Sequence, residues 1–477
     1  MTENSEKMFP NSIACAFQWN YPVINLGRNE YRNCCRTEPN KLNPQEIPSY
    51  GLNLILNSPI EREKRARMLL GEKVKSCSSC WAVESKGVRS PRLDVNLLSF
   101  LQANPFQQID NELKSLVGHE EKVRYLANHG ITFSNNTNML EIVLTNTCDM
   151  ACMYCSHHYS SKWAAERLKY KEISASQLEF ELPKPNVEFK KIFLEWFRSE
   201  GVHSVRYITF IGGEPTLIKE FYEISKEIAE ILHANQKEAV NLSVVTNLNS
   251  TAPVFEKFMN HIESISDYFS VVDINVSIEA FGEKAEYIRN GLVWERWKNN
   301  FEHLVQKKSK KLKISAQMAT NLLSVSSLSV LLKYFWKFFE DYNVGIELRQ
   351  NLVTFPLANS PTLLTKEFTF YFDECIDFLR RVAPQIDPQI QSEFGGWGSY
   401  ANFLETIKNS IQNHQISSEE KQIIFDFYTQ FDRRRRLNIR KTFPEYENFL
   451  NFCGLGEVSK NRGMKKWIMQ KLSNILN

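Results

Sequence analysis

The sequence predicts an α/β protein. Its expected core is a partial (β/α)6 barrel, with a cysteine-rich module ahead of it and C-terminal helices after it. Three observations predict this. From Met139 onward, short β-branched and apolar runs alternate with longer stretches of helical periodicity, as strands and crossover helices do. Eight of the ten cysteines lie in the first third of the chain. After Pro356 no further strand signal appears, and helical spacing takes over. The boundaries read as 1–96 for the cysteine-rich module, 97–138 for a helical insertion, 139–356 for the barrel and 357–477 for the helical region.

The barrel elements follow in order. Strands are expected at Leu140–Leu144, Val205–Ile211, Leu242–Thr246, Val271–Ile278, Leu312–Met318 and Val344–Leu352. Helices are expected at Glu188–Glu200, Leu217–Ala234, Ala252–Ser264, Gly282–Gln306, Leu323–Tyr342 and Lys366–Val382. In such barrels the chemistry sits at the C-terminal strand ends. Trp294, Trp297, Phe335, Trp336, Phe338 and Phe339 have spacings that suit packing and read as core.

Composition narrows the function classes. Hydrophobic residues make up 43% and charged residues 24%, an ordinary globular balance, and the net charge of +3 argues against nucleic acid as a partner. No apolar run reaches the roughly 20 residues that span a bilayer, and Met1-Thr-Glu-Asn-Ser is no signal peptide. Ten cysteines in such a chain point to metal or catalysis in a reducing, cytoplasmic compartment.

Before the barrel, Pro22–Leu26, the turn signal Gly27-Arg-Asn-Glu and Tyr31-Arg-Asn-Cys34-Cys35 read as a β-hairpin. A polar helix from about Glu61 to Leu70 precedes Cys77-Ser-Ser-Cys80. A CxxC turn supplies two ligands, and Cys15 with either Cys34 or Cys35 supplies two more. Four thiolates close a site completely, for zinc or a 4Fe–4S cluster. A redox CxxC has no βαβ context here. Residues 97–138 carry helical spacing at Leu97, Leu98, Phe100 and Leu101, then at Ile109, Leu113 and Leu116, broken by Asn104-Pro105.

The chemistry-bearing stretch is Leu144-Thr-Asn-Thr-Cys148-Asp-Met-Ala-Cys152-Met-Tyr154-Cys155. Three thiolates on one tight loop are one short of a structural zinc site, whereas a 4Fe–4S cube held by three leaves an iron open. Gly212-Gly213-Glu214-Pro215 ends the second strand, where glycines permit close backbone approach and the carboxylate can accept hydrogen bonds. Thr246-Asn247 ends the third, and Ser277 and Glu279 share a face at the end of the fourth.

The C-x3-C-x2-C loop with an aromatic before its last cysteine, followed by a Gly-Gly-Glu-Pro turn, resembles the radical S-adenosylmethionine (SAM) enzymes. The resemblance implies that Cys148, Cys152 and Cys155 hold a 4Fe–4S cluster whose open iron is chelated by SAM. It implies reductive cleavage of SAM to a 5′-deoxyadenosyl radical that abstracts hydrogen from a substrate. Tyr154 would border the adenine, Gly212, Gly213, Glu214 and Pro215 would hold the SAM amino group, and Thr246, Asn247, Ser277 and Glu279 would reach the ribose. Arg289 would pair with the SAM carboxylate, against the bland reading of a solvated helix-face arginine.

The order Cys15, Trp19, Cys34-Cys35, Cys77, Cys80, Glu84, Gly87, Ser90, Arg92 and Asn96 resembles the twitch module, related to the SPASM domain, of one radical SAM subgroup. There the hairpin carries a glycine where this chain has Asn29, a residue that tolerates the left-handed conformation. An auxiliary 4Fe–4S cluster is the implied occupant, ahead of zinc. Relatives of this kind modify ribosomally made precursor peptides by cross-linking, epimerisation or backbone excision. Others act on sugars or small molecules, and a non-catalytic iron–sulfur scaffold is the alternative class. The resemblance implies a flavodoxin- or ferredoxin-type electron donor. With the space ahead of the barrel taken by the cysteine module, leader recognition is expected from a separate small protein, docking on 97–138 or on Arg433–Arg436. Cys453 is the candidate hydrogen donor, with an inert loop cysteine as its bland reading. His157-His158 reads as surface or packing, and Cys375 as a core cysteine.

Overall fold

The structure is a computed structural model. It describes residues 13–42, 52, 55–85, 90, 92–93, 113, 115–128, 137–182, 186–237, 239–307, 309, 311–390 and 395–455. Most of the 97–138 insertion, including Leu97, Leu98, Phe100, Leu101 and Ile109, lies outside them, as do Gly87 and Asn96. The chain divides into two compact units, Met1–His414 and Gln415–Asn477.

Within the first unit, the described strands form one sheet in the order β3-β2-β1-β4-β5-β6-β7-β8-β9. Here β1 is Val23–Asn25, β2 Glu30–Arg32, β3 Asn40–Lys41, β4 Met139–Val143 and β5 Tyr207–Ile211. β6 is Asn241–Thr246, β7 Val271–Ser277, β8 Leu312–Thr320 and β9 Glu347–Leu352. From β4 to β9 every neighbouring pair is parallel, and helices cross between them. Six parallel strands with crossover helices are the expected partial barrel, and further helices follow β9. The even-numbered side of the central barrel strands is apolar: Ile208 and Phe210 on β5, Leu242 and Val244 on β6, and Ile274 and Val276 on β7 are all fully buried.

The hairpin expected at residues 22–35 is the β1–β2 antiparallel pair, and Asn29 in its turn has φ +51°. That is the left-handed conformation expected of it, which asparagine tolerates better than other non-glycine residues. The hairpin does something that spacing did not indicate. β1 pairs in parallel with β4, Val23 beside Glu141 and Asn25 beside Val143, so the cysteine module continues the barrel sheet. On the far edge, the Arg36 guanidinium donates to the Asn351 Oδ1 of β9 at 3.3 Å. The module thus lies across the gap that six strands leave open.

One predicted helix divides. Gly282–Gln306 forms two helices, Glu283–Ile288 and Trp294–Gln306, with Gly291 at φ +107° between them. A Cβ on Gly291 would stand 2.9 Å from the Asp149 carbonyl oxygen. The break lets the chain press against the cysteine loop. Two helices before β5, Ser161–Lys169 and Ala175–Glu181, also have no counterpart in the sequence expectation.

Candidate functional site

The cysteine loop leaves β4 and is held by its backbone. Trp163 Nε1 donates to the Cys152 carbonyl at 2.9 Å, and Ser160 Oγ to the Met150 carbonyl at 2.6 Å. Ser161 Oγ donates to the Cys148 carbonyl and accepts from the Cys148 amide. These groups come from the N-terminus of the helix Ser161–Lys169, where Ser160 is also the N-cap, accepting from the Trp163 amide. From the other side, the Ala151 and Met153 amides donate to the carbonyls of Asn290 and Ile288, in the broken-helix segment. Of its thiols, Cys155 Sγ donates locally, to the Ser156 carbonyl at 3.7 Å. Cys148, Cys152 and Cys155 are part-exposed and in no disulfide.

Two nitrogens approach those sulfurs. Asn247 Nδ2 is 4.0 Å from Cys148 Sγ, and Arg289 Nη1 is 4.0 Å from Cys152 Sγ. Asn247 is aimed by Asp149, whose carboxylate accepts from Asn247 Nδ2 at 2.8 Å and from Asn249 Nδ2 at 2.9 Å. Burial pushes Cys152 up to about 11 and Cys155 up to about 12. For Cys152 the nearby guanidinium is the largest opposing influence.

The Gly-Gly-Glu-Pro turn presses on the same loop. A Cβ on Gly213, at φ +52°, would stand 2.1 Å from the Thr147 carbonyl oxygen, and one on Gly212, at φ +93°, 2.7 Å from Val143. The backbone these glycines approach is that of the cysteine loop. Glu214 is 1% exposed. Its Oε1 accepts from the Thr216 amide, Thr216 Oγ1 and Thr246 Oγ1, and its Oε2 from the Asn247 amide at 2.6 Å. Burial still raises this carboxyl to about 7. The side chain therefore ties the turn to the end of β6, and Pro215 is buried beside it.

Glu279 and Arg289 meet each other. Arg289 Nη2 donates to Glu279 Oε2 at 2.5 Å and Nε at 3.0 Å, and Tyr154 Oη donates to the same carboxylate at 3.0 Å. The guanidinium lies 5.6 Å from the Tyr154 ring centroid. This is no solvated helix-face arginine: it is 4% exposed. Ser277 is half-buried at the end of β7, on the strand face opposite Val276. The sequence reading passed over Asp149, Asn249, Ser160, Ser161 and Trp163. For Asp149, Ser160, Ser161 and Trp163 their closeness in sequence to the cysteine motif was the available signal; Asn249, a hundred positions on, carried none.

In the module, Cys15, Cys34, Cys77 and Cys80 line one small pocket of about 10 Å³, together with Phe17, Gln18, Arg36, Thr37 and Arg92. Cys35 is not among its lining residues. The vicinal thiols share a hydrogen bond that pushes Cys34 up and brings Cys35 down to about 6. Glu84, expected near this site, accepts from Ser90 Oγ at 2.5 Å and pairs with Arg92 Nη2 at 2.7 Å. Among the described residues no three His, Cys, Asp or Glu side chains stand close enough to grip a single metal ion. Burial lowers His157 and His158 to about 3 and about 4, and their rings lie tilted at 37° with centroids 4.0 Å apart. Cys375 is a buried core cysteine of the first unit, and Cys453 is buried in the second. Arg433 and Arg436 are exposed in the second unit, while Arg435 lies 4.0 Å over the Phe431 ring. No helix among the described residues is long and apolar enough to cross a membrane.

Residues 142–319 match the sequence model of the Radical SAM superfamily. That stretch is a radical SAM domain. No curated protein matches the chain. Among solved structures, Streptococcus suis SuiB bound to its precursor peptide SuiA matches at 13% identity and a TM-score of 0.33, over 69% of this chain and 63% of that one. SuiB bound to S-adenosylmethionine matches at 12% and 0.32, over 67% and 64%. Native anSMEcpe with bound AdoMet matches at 12% and 0.34, over 66% of this chain and 99% of that one. The radical SAM domain accounts for β4–β8; the chain spans less than two thirds of the SuiB chains.

Proposed function

We propose that Cys148, Cys152 and Cys155 hold a 4Fe–4S cluster with SAM beside it, and that the chain uses them to abstract hydrogen from a ribosomally made precursor peptide. The observation that carries this is the clamped loop: three thiols free of disulfides, with two N–H groups 4.0 Å from their sulfurs. The donor set fits, because thiolates suit iron and N–H groups beside them stabilise their charge. When bound, the pair supplies a carbon-centred radical by one-electron cleavage of the sulfonium.

The chain's own residues orient and support. Trp163, Ser160 and Ser161 draw the loop carbonyls away, so that the sulfurs face outward. Asp149 fixes the Asn247 amide toward Cys148. Arg289, held by Glu279, keeps a positive edge beside Cys152. Glu214 locks the glycine turn against the loop that bears the cysteines.

For the module, an auxiliary 4Fe–4S cluster on Cys15, Cys34, Cys77 and Cys80 is the reading we favour. The four cysteines line one pocket, which supports a single shared occupant, and a 4Fe–4S cube takes four thiolates as zinc does. A closed four-thiolate cluster serves electron transfer or structure, and a flavodoxin- or ferredoxin-type donor would supply the electron to the cluster on Cys148, Cys152 and Cys155.

The test is anaerobic reconstitution followed by reduction in the presence of SAM. The expected result is 5′-deoxyadenosine from the native chain and none from the Cys148→Ala/Cys152→Ala/Cys155→Ala variant. That triple variant should retain about four irons per chain, as one cube implies. Cys34→Ala should then empty the module and Cys35→Ala should not. Deoxyadenosine from the triple variant sinks the first claim, and stoichiometric zinc in the module sinks the second.

A further inference from the structure

Strand register sorts the barrel's inner face into rows. Glu141 on β4 stands beside Thr209 on β5, Thr209 beside Ser243 on β6, Ser243 beside Asp273 on β7, and Asp273 beside Lys313 on β8. One step toward the strand ends, Asn275 stands beside Ser315 and Ser315 beside Glu347; beyond them, Gln317 stands beside Arg349. Register neighbours share a face. Parallel strands buried on both faces are apolar throughout, so these polar rows mark the face turned away from the helices.

The charges on this face are nearly all met. Asp273 is paired with Arg349 at 2.9 Å and accepts from Ser243 and Ser315. Glu347 is paired with Lys313 at 2.5 Å and Arg349 at 3.2 Å. Glu141 is the exception. Its Oε2 accepts from Tyr21 Oη at 2.5 Å, while its Oε1 is buried with no partner, on a residue 5% exposed. The groups that face this carboxyl are Tyr21, Cys35 and Arg32. Arg32 gives its guanidinium to the Thr37 carbonyl and to Tyr159 Oη. Asn275 Oδ1, in the adjoining row, is also buried and unpartnered. Among the described residues, the unmet groups on these rows are acceptors, with no unmet donor beside them.

We propose that Glu141 is a substrate subsite that takes a cationic N–H donor, the side chain of a lysine or arginine in the substrate peptide. A buried acceptor left unmet is costly, and for a carboxylate the matching ligand brings both hydrogen and positive charge. Hydrogen bonds between charged partners are the stronger ones, so the site selects for charge as well as for N–H groups. Tyr21, carried by the cysteine module, holds the other oxygen and so orients the free one. The subsite rests on the proposed peptide substrate for its ligand's source, but not on turnover for its test.

The probe is a set of blocked pentapeptides, acetyl-Gly-Gly-X-Gly-Gly-amide, with X as lysine, arginine, norleucine or glutamate. Binding to the SAM-loaded holoenzyme is measured by calorimetry without reductant. The expected result is at least tenfold tighter binding of the lysine or arginine peptide than of the norleucine peptide, with the glutamate peptide weakest. Glu141→Gln, which keeps the Tyr21 hydrogen bond, should bring lysine and norleucine within about twofold. Glu141→Asp should restore a cation preference at lower affinity. Equal binding of lysine and norleucine by the native chain overturns the proposal, as does a preference that survives Glu141→Gln or the absence of binding by every peptide. The native-chain comparison stands whatever the variants' folding. Failure of the radical reading would appear separately, as absent deoxyadenosine on reduction.

Discussion

Arg289 and Glu279 are bonded to each other, Nη2 to Oε2 at 2.5 Å, in a place where both are almost fully buried. Tyr154 covers the pair and donates to it. Two residues expected to reach separately toward one ligand are thus a preassembled unit. The desolvation of two charges is offset only while both are present.

Removing one member should therefore cost more than removing both. Arg289→Met is expected to destabilise the chain by about 3–5 kcal/mol, the range for stranding a buried charge. Adding Glu279→Gln should recover much of that loss. Urea unfolding of the two single variants and the double variant checks this, and additive losses would count against a coupled pair.

Two glycines with positive φ make a paired prediction. At Gly213 a Cβ would stand 2.1 Å from the Thr147 carbonyl oxygen, whereas at Gly71, with φ +83°, nothing lies within 4 Å. Gly71→Ala should cost only the backbone strain of about 1–2 kcal/mol. Gly213→Ala adds a clash with backbone and should cost several kcal/mol, at the upper end of overpacking penalties. It should also displace the cysteine loop, which labelling of Cys148 by a thiol reagent would register as a faster rate.

Ser160 performs two tasks, capping a helix and donating to the Met150 carbonyl. Ser160→Ala is expected to cost about 1–3 kcal/mol from the lost cap and the stranded carbonyl together. Ser160→Thr, which keeps the hydroxyl, should cost less. Hydrogen exchange at the Trp163 amide reads the cap directly.

His261 supplies a pH dependence. Burial, aided by Lys226 and Lys257, lowers it to about 4, and its Nε2 lies 2.7 Å from Ser225 Oγ. A depressed folded value means that stability is present above the unfolded value, about 6.5, and is lost as pH falls toward 4. The ring is only half-buried, so solvent screening reduces the effect to about 1 kcal/mol. His261→Gln should lose less stability than the native chain between pH 7 and pH 5. Parallel pH profiles for the two proteins would reject this.

Much of this arrangement was readable in advance because it is local. The six barrel strands carry their β-branched runs, the cysteine loop its spacing, and Asn29 the tolerance for φ +51° that its turn uses. What the sequence concealed depends on residues distant in the chain. Asp149 gains its meaning from Asn247 and Asn249, a hundred positions away. The helical periodicity of 282–306 is real on both sides of Gly291, so periodicity could not report the break; contact with the Asp149 carbonyl does. Three-residue β1 carries too little pattern to announce a parallel partner at β4.

The strap from Arg36 to Asn351 joins positions 315 residues apart, and β1 waits more than a hundred residues for β4. A chain emerging from the ribosome presents the hairpin first and its partners last. Until β4 has left the exit tunnel, β1 offers an open edge of hydrogen-bonding groups, and until β9 follows the strap has no anchor. Non-local pairing of this kind is slow. The hairpin edge therefore needs protection until residues 139–143 emerge, and a stall that delays them should expose that edge to aggregation.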